Sequence, residues 1–227
     1  MRRVLWTVGR FTLSTTTASV PRVPERAAFY FDLASPYSYL AAERVSGLFT
    51  EAELEQPEWR PILVGALMKE YGRTPWGYSD EREANMAEIE RRAAAYGLPP
   101  LVWPDPMPAN SLTAMRAATF AKQTGRTVSF ALAAFRQAFA AGRDLSDPDN
   151  VAIAGAACEL HPRALLKAVA TNGVKEELRR ATEEAAAAGV RGVPTVVVGD
   201  EVFWGDDRLE EAVEAAASAA GGPISGT

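Results

Sequence analysis

The chain has 227 residues, enough for one domain with a large insertion or for two small domains that share a core. Its composition, 48% hydrophobic and 23% charged, is that of an ordinary globular protein. Acidic residues outnumber basic ones by 29 to 24, which argues against a nucleic-acid-binding surface. No apolar run is long enough to span a bilayer, so no membrane insertion is expected.

Residues 1–26 are predicted to form a mobile N-terminal tail, because arginines, a Ser/Thr run and two prolines interrupt their short apolar patches. Those patches are too short for the apolar centre of a secretory signal. An upstream start site and a transit-like segment are the alternatives. Residues 223–227 are predicted to form a short C-terminal tail.

A predicted strand over 28–33 is followed by a predicted helix over 36–50, so Ser35 lies at a helix N-terminus. Free backbone N–H groups and the positive end of the helix dipole favour an anion there, a thiolate included. Pro36 suits the first helical turn, where an N–H has no partner.

This strand, turn and helix have the shape of a thioredoxin-type active site, in which C-x-x-C lies between the first strand and its helix. Ser35 and Ser38 occupy the two cysteine positions. Two serines cannot form a redox disulfide, but a hydroxyl donor can hold the thiolate of another molecule. The alternative is that Ser35 serves only as a helix N-cap.

A second strand is predicted over 58–64, parallel to the first because a helix intervenes. From residue 65 to about 188 the periodicity is helical, with about six helices. Their expected starts include a capping-box-like Asp80 with Glu83, and Asp147 before Pro148. A helix beginning at Pro162 is expected to end at 172–173, and the next one, over 174–188, is expected to be closed by Gly189. Residues 98–108 are a proline-rich connector.

One helix of this region is predicted to carry an apolar stripe formed by Val128, Leu132, Phe135 and Phe139.

The single cysteine and the single histidine are expected to have little chemistry of their own. Cys158, the single cysteine, is expected in the core, and its lack of a pairing cysteine is typical of a reducing cytoplasm. His161, the single histidine, is expected to be a cap or surface residue rather than a metal ligand.

The C-terminal part returns to strand over 189–198, turns at 199–200 and continues as an antiparallel strand over 201–204. A proline at a buried strand start is unusual, and a cis Val193–Pro194 bond would leave the Val193 backbone groups free. Asp206 is the expected cap of the last helix, over 209–220. Two helix N-termini would then face one cleft.

Five stretches carry a resemblance to a known family: FYFDLASPYSYLAAERV, WRPILVGALMKEYG, SLTAMRAA, GRDLSDPD and ATEEAAAAGVRGVPTVVVGDEVFWGDDRLEEAV. Over residues 28–217 the chain resembles the 2-hydroxychromene-2-carboxylate isomerases and the kappa-class glutathione transferases, in the DsbA-like branch of thioredoxin folds. The resemblance implies an α/β fold with a thioredoxin-like domain (27–65 and 189–222) and a large all-helical insertion (66–188).

The resemblance also implies glutathione, or another low-molecular-weight thiol, as the cofactor. Ser35 resembles the residue that hydrogen-bonds the glutathione thiolate and carries the catalysis. Val193, before Pro194, resembles the backbone partner of the cysteinyl part. Asp206 and Asp207 resemble the pair that holds the γ-glutamyl end.

Arg73 departs from the family pattern, in which an asparagine that touches glutathione stands at this position. An arginine there suits the glycyl carboxylate or a substrate carboxylate, or indicates that the protein uses another thiol or none. Lys69 is the second local cation considered for an acidic substrate, and both residues are alternatively solvated charges. The aromatic residues expected in the substrate pocket, unless they only pack, are Tyr37, Trp76 and Trp103.

The implied activity is glutathione-dependent cis–trans isomerisation of an aromatic unsaturated 2-oxo acid by reversible thiol addition. The expected partner is a small aromatic carboxylate, and a homodimer is left open. The alternatives are a kappa-type glutathione transferase or peroxidase, and a non-catalytic thiol-binding module with a thioredoxin fold.

Overall fold

The computed structural model describes residues 26–221, so the predicted tails lie outside the described residues except for Arg26. The strands of this part are β1 (Ala28–Phe31), β2 (Glu58–Pro61), β3 (Thr195–Val198) and β4 (Glu201–Trp204). Its helices are α1 (Pro36–Glu51), α2 (Val64–Glu70), α3 (Arg82–Ala95), α4 (Leu112–Gln123), α5 (Thr127–Phe139), α6 (Pro148–Ala157), α7 (Pro162–Ala168), α8 (Asn172–Ala187) and α9 (Leu209–Ala219). Short 3-10 turns cover Trp76–Tyr78 and Asp206–Arg208.

The strands form one mixed sheet in the order β2-β1-β3-β4. As predicted, β2 runs parallel to β1, and β3 and β4 form an antiparallel hairpin. The hairpin pairs antiparallel with β1, which therefore lies inside the sheet. This is a thioredoxin-like fold in which the helices between β2 and β3 form the predicted insertion.

Both faces of β1 are buried, because its side chains alternate between two apolar clusters. Phe29 and Phe31 face the larger cluster, where the Trp59 ring lies edge-on to Phe29 at 4.8 Å between centroids. Ala28 and Tyr30 face the smaller cluster on the α8 side, with Ile62. The sheet is therefore a central layer between helices.

The first two strands end earlier than predicted, because their last residues turn away to hold helices. Asp32 accepts hydrogen bonds from the backbone N–H groups of Ala34 and Val64. The Leu63 N–H donates to the Thr182 hydroxyl on α8 instead of continuing the ladder. These bonds end β2 and begin α2 at Val64.

Several predicted helix ends are confirmed and others are wrong. Asp147 caps α6, and Gly189 closes α8 with a φ of 84°. The predicted capping box at Asp80 is wrong, because α3 begins at Arg82 and its cap position makes no side-chain hydrogen bond. The predicted end at 172–173 is also wrong, because α7 ends at Ala168 and α8 already begins at Asn172.

The predicted stripe on α5 is only partly correct. Phe135 and Phe139 are buried, but Val128 is 40% exposed and Leu132 is only partly covered. Because α5 packs against α1, α4 and α6, its buried side is wider than the stripe. The further buried residues of that side are Phe130, Ala131, Ala134 and Ala138.

The remaining expectations about single residues hold. Cys158 is buried and unpaired, as predicted. His161 is exposed at the N-cap of α7 and makes no side-chain cap hydrogen bond there. Within residues 26–221, no helix combines the length and the apolar character that crossing a bilayer requires.

Phe135→Ala should lower the free energy of unfolding by about 3–5 kcal/mol, because it removes a fully buried ring that joins β1 to two helices. The Phe135 centroid lies 6.0 Å from that of Phe31 and 6.2 Å from that of Tyr39. Urea unfolding followed by circular dichroism measures the change. Val128→Ala is the control, and it should shift the free energy by less than about 0.5 kcal/mol.

Candidate functional site

A cavity of about 600 Å³ opens between the sheet and the helical insertion. Its wall is built where chain segments leave β1, β2 and β4 and where the chain enters β3. The lining side chains used below are Ser35, Tyr37, Arg73, Trp76, Arg92, Val193, Pro194, Trp204, Asp206 and Asp207. The sequence had predicted most of them, and the structure brings these together in one cavity.

Ser35 is the N-cap of α1, and this role leaves its hydroxyl proton free. The Ser35 N–H donates to the Asp32 carbonyl at 3.0 Å, and its Oγ accepts from the Ser38 N–H at 3.1 Å. Since a hydroxyl carries one donor and two acceptor sites, Oγ can still donate to a group in the cavity. The N-cap role and the role of an anion donor are therefore compatible.

Val193 lines the same cavity, and the Val193–Pro194 bond is cis as predicted. Neither the amide nor the carbonyl of Val193 makes a backbone hydrogen bond within residues 26–221. The Pro194 carbonyl accepts from the Gly205 N–H at 3.0 Å, which ties this segment to the end of β4. An unpaired amide and carbonyl suit a ligand with a peptide-like backbone.

Asp206 does not cap the last helix, because a 3-10 turn precedes α9 and Arg208 holds the cap position. Its carboxylate is buried and accepts from Arg92 Nη1 at 2.9 Å and from the Tyr96 hydroxyl at 3.0 Å. Burial raises the pKa of Asp206, and the Arg92 guanidinium opposes that rise. Both carboxylate oxygens are thus engaged within the protein.

Asp207 differs from its neighbour, because its side chain is 57% exposed. One carboxylate oxygen lies 3.5 Å from Arg92 Nη1, and no hydrogen bond engages the carboxylate within residues 26–221. Of the two predicted acidic residues, Asp207 is therefore the one with a carboxylate open to a cationic group in the cavity.

Arg73 contributes an unpaired cation to the wall. Its guanidinium carbon lies 5.2 Å from the Trp204 ring centroid and 5.7 Å from that of Tyr71. Its Nε and Nη2 atoms are buried and have no hydrogen-bond partner within residues 26–221. A buried donor without an acceptor is costly, which makes this guanidinium a strong site for a carboxylate.

Two of the predicted aromatic residues line the cavity and the third does not. Tyr37 and Trp76 lie edge to face in the wall, with 6.4 Å between ring centroids. Trp103 is wrong as a pocket residue, because its Nε1 donates to Glu90 at 2.6 Å and its ring packs against Phe139.

Lys69 is also wrong as a pocket residue. It lies exposed in the last turn of α2, outside the cavity lining. Its ammonium group is therefore a solvated charge at a helix end, which was the alternative considered from the sequence.

Sequence reasoning missed three residues that shape the site: Asp32, Arg92 and Tyr96. Asp32 is fully buried, and burial raises its pKa while the N–H bonds from Ala34 and Val64 oppose that rise. The sequence pattern that could have indicated its role is an acidic residue directly after an apolar strand. Arg92 and Tyr96 had no such signal, since an arginine and a tyrosine on a charged helix are usually solvated. Burial and the Asp206 carboxylate raise the pKa of Tyr96 to about 12, so it stays a donor.

Helix N-termini converge on this cavity. The starts of α1 and α4 and the 3-10 turn at Asp206 all contribute lining residues, as does the start of α2. Their free N–H groups and dipoles favour a negative charge, such as a thiolate or a carboxylate. Within residues 26–221, no group of His, Cys, Asp and Glu is placed to hold a metal ion.

A cavity between a serine at a helix start and a backbone segment before a cis proline defines a thioredoxin-fold protein without redox cysteines at its site. Residues 27–217 match the DSBA-like thioredoxin domain, and the chain belongs to that family.

Two curated relatives extend over most of the chain. The 2-hydroxychromene-2-carboxylate isomerase of Sphingobium xenophagum is 30% identical over 185 residues, which cover 80% of this chain and 93% of the relative. The glutathione S-transferase kappa 1 of Homo sapiens is 24% identical over 203 residues, covering 83% and 89% respectively.

A solved 2-hydroxychromene-2-carboxylate isomerase has the same fold, with a TM-score of 0.77 at 24% identity. The match covers 86% of this chain and 96% of that structure. The family and the fold are thus established, and an isomerase-like or transferase-like enzyme is consistent with both.

Gly192→Ala should displace the Trp204 indole, because a Cβ at position 192 would lie 2.7 Å from a ring carbon. We expect the Trp204 indole N–H resonance to shift and the free energy of unfolding to fall by roughly 1–3 kcal/mol. Gly47→Ala is the control, since its Cβ would meet nothing within 4 Å, and it should stabilise the fold by about 0.5–1 kcal/mol. An unmoved indole resonance in Gly192→Ala would contradict this packing.

Proposed function

We propose that the protein is a glutathione-dependent isomerase of the 2-hydroxychromene-2-carboxylate type, acting on an aromatic unsaturated 2-oxo acid. The observation that carries the proposal is the free Ser35 hydroxyl at the positive end of α1, across the cavity from the unpaired Val193 backbone. This pair fits a cysteinyl residue whose sulfur is held as a thiolate.

The other charges of the wall fit the two ends of glutathione. Asp207 has a carboxylate open to the γ-glutamyl ammonium, and the N–H groups at the Asp206 turn suit the neighbouring carboxylate. Arg73 fits the glycyl carboxylate, because its ring neighbour Trp204 contacts Gly192, next to Val193. We propose that Asp206 acts by fixing this turn, since its own carboxylate already binds Arg92 and Tyr96.

Glutathione held by these residues would supply a thiolate for reversible addition to the conjugated carbon: the C–S bond would form as the double bond becomes a rotatable single bond, and would break after rotation to restore the double bond and release the thiol. Ser35 stabilises the thiolate by donating a hydrogen bond, with about 1.4 kcal/mol gained for each unit by which the thiol pKa falls. Tyr37 and Trp76 offer the aromatic part of the substrate an apolar wall. The cavity orients both molecules for attack.

A kappa-type glutathione transferase is the second candidate, favoured by the human relative that spans most of the chain. The same thiolate site would serve conjugation of an electrophile. Turnover of a chlorinated nitroaromatic without isomerisation would support this candidate. Glutathione binding with neither activity would support a non-catalytic thiol-binding module.

Ser35→Ala should lower isomerase kcat/KM by about 10–100-fold, because it removes a charge-assisted hydrogen bond worth roughly 1.5–3 kcal/mol. The assay follows 2-hydroxychromene-2-carboxylate with glutathione. Ser129→Ala, an exposed serine on α5, is the matched control and should leave turnover unchanged.

Ser35→Asp separates the cap from the chemistry, because aspartate is a good N-cap yet repels a thiolate. We expect it to keep the stability of the wild type and to lose activity at least as severely as Ser35→Ala. Wild-type kinetics in either variant would remove Ser35 from the mechanism.

Arg73→Gln should weaken glutathione binding by about 10–100-fold, the loss expected when a charged hydrogen-bonding pair is broken. Calorimetry measures the change. Arg191→Gln is the matched control, because Arg191 also stacks on Tyr71, at 4.4 Å, but lies outside the cavity lining. Glutathione monoethyl ester, which lacks the glycyl charge, should bind wild type and Arg73→Gln with equal affinity. If Arg73→Gln weakened binding of the ester as much as binding of glutathione, the assignment of Arg73 to that carboxylate would be contradicted.

A further inference from the structure

A second cavity, of about 330 Å³, lies behind the first, between α2, α4 and α8. Leu63 and Leu112 line both cavities and so form the partition between them. Its apolar wall is completed by Ala66 and Leu178. The polar and charged residues that line it are Glu70, Arg116, Lys175, Arg179, Thr182 and Glu183.

Arg116, on α4, has a buried guanidinium nitrogen without a partner among residues 26–221. That atom, Nε, makes no hydrogen bond to any side chain or backbone group of this part of the chain. Arg179 in the same wall behaves differently, because Glu176 and Glu183 both pair with it. A partly buried guanidinium left unpaired costs free energy that an anionic ligand would recover.

The remaining polar groups leave Arg116 as the main binding group. The Thr182 hydroxyl is used, since it accepts from the Leu63 N–H and donates to the Leu178 carbonyl. Lys175 and Glu70 are exposed at the rim and oppose one another in charge. The cavity thus offers the N–H donors of the Arg116 guanidinium beside an apolar wall.

We propose that the second cavity binds a small amphipathic monoanion, an aromatic carboxylate of one ring. Its carboxylate would pair with Arg116, and its ring would lie against the leucines that separate the two cavities. The volume lies at the lower end of the range for small-molecule sites, which limits the ligand to about this size. This proposal does not depend on thiol binding in the first cavity.

Benzoate is the probe, and backbone amide NMR shifts of the full chain without added thiol are the measurement. Benzoate at millimolar concentration should shift the amides of Ala66 and Thr182 in a saturable way. Arg116→Gln should weaken this binding at least ten-fold. Lys175→Gln, the rim control, should change it less than two-fold, and Arg73→Gln should leave it unaltered.

Benzyl alcohol, which has the ring without the charge, should bind at least ten-fold more weakly than benzoate. Equal binding of the two probes, or unchanged benzoate binding in an Arg116→Gln variant with a native amide spectrum, would overturn the proposal. Shifts confined to the first cavity, at Tyr37 and Val193, would also overturn it. Loss of glutathione binding in Arg73→Gln bears only on the first cavity. The proposed function and the proposal for the second cavity can therefore be overturned independently of one another.

Discussion

The buried carboxylate of Asp32 is the interaction on which the geometry of the site depends. It accepts from the N–H of Ala34, just before α1, and from the N–H of Val64, the first residue of α2, each at 2.9 Å. The side chain of Ser111, at the cap position of α4, is a third hydrogen-bonding group beside it. One charge that water cannot reach is satisfied by the starts of several helices, so these starts must meet at the end of β1. The cavity is the space in front of them.

A second buried acid, Asp206, fixes the opposite wall. Its carboxylate accepts from Arg92 of α3 and from Tyr96, which directly follows that helix, and its carbonyl accepts from Arg44 of α1 at 2.9 Å. These bonds attach the turn after β4 to the helical insertion and leave Asp207 open to the cavity. Of the two neighbouring acidic residues in this wall, Asp206 is therefore bound within the protein, and Asp207 is partly exposed beside Arg92.

The fold and the central part of the site could be predicted because their signals are local. A strand, a small turn and a helix are contiguous in sequence, so Ser35 could be placed at a helix start, and Val193–Pro194 could be placed at the start of β3. Lys69 and Trp103 could not be judged in this way. Which way a side chain on a helix or connector faces depends on tertiary packing, and neither residue lines the cavity. The hydrogen bonds of the Asp206 carboxylate could not be predicted for the same reason, because its partners lie 114 and 110 residues away in the chain.

The position of the only sulfhydryl group has a consequence for resistance to oxidation. Cys158 is buried among helices of the insertion, and burial raises the pKa of its thiol, which keeps it protonated and unreactive. Serines stand at both positions where related folds place reactive thiols. On the proposed function, peroxide would oxidise the sulfur of a small molecule that exchanges with solvent, and not a cysteine of the polypeptide at the site.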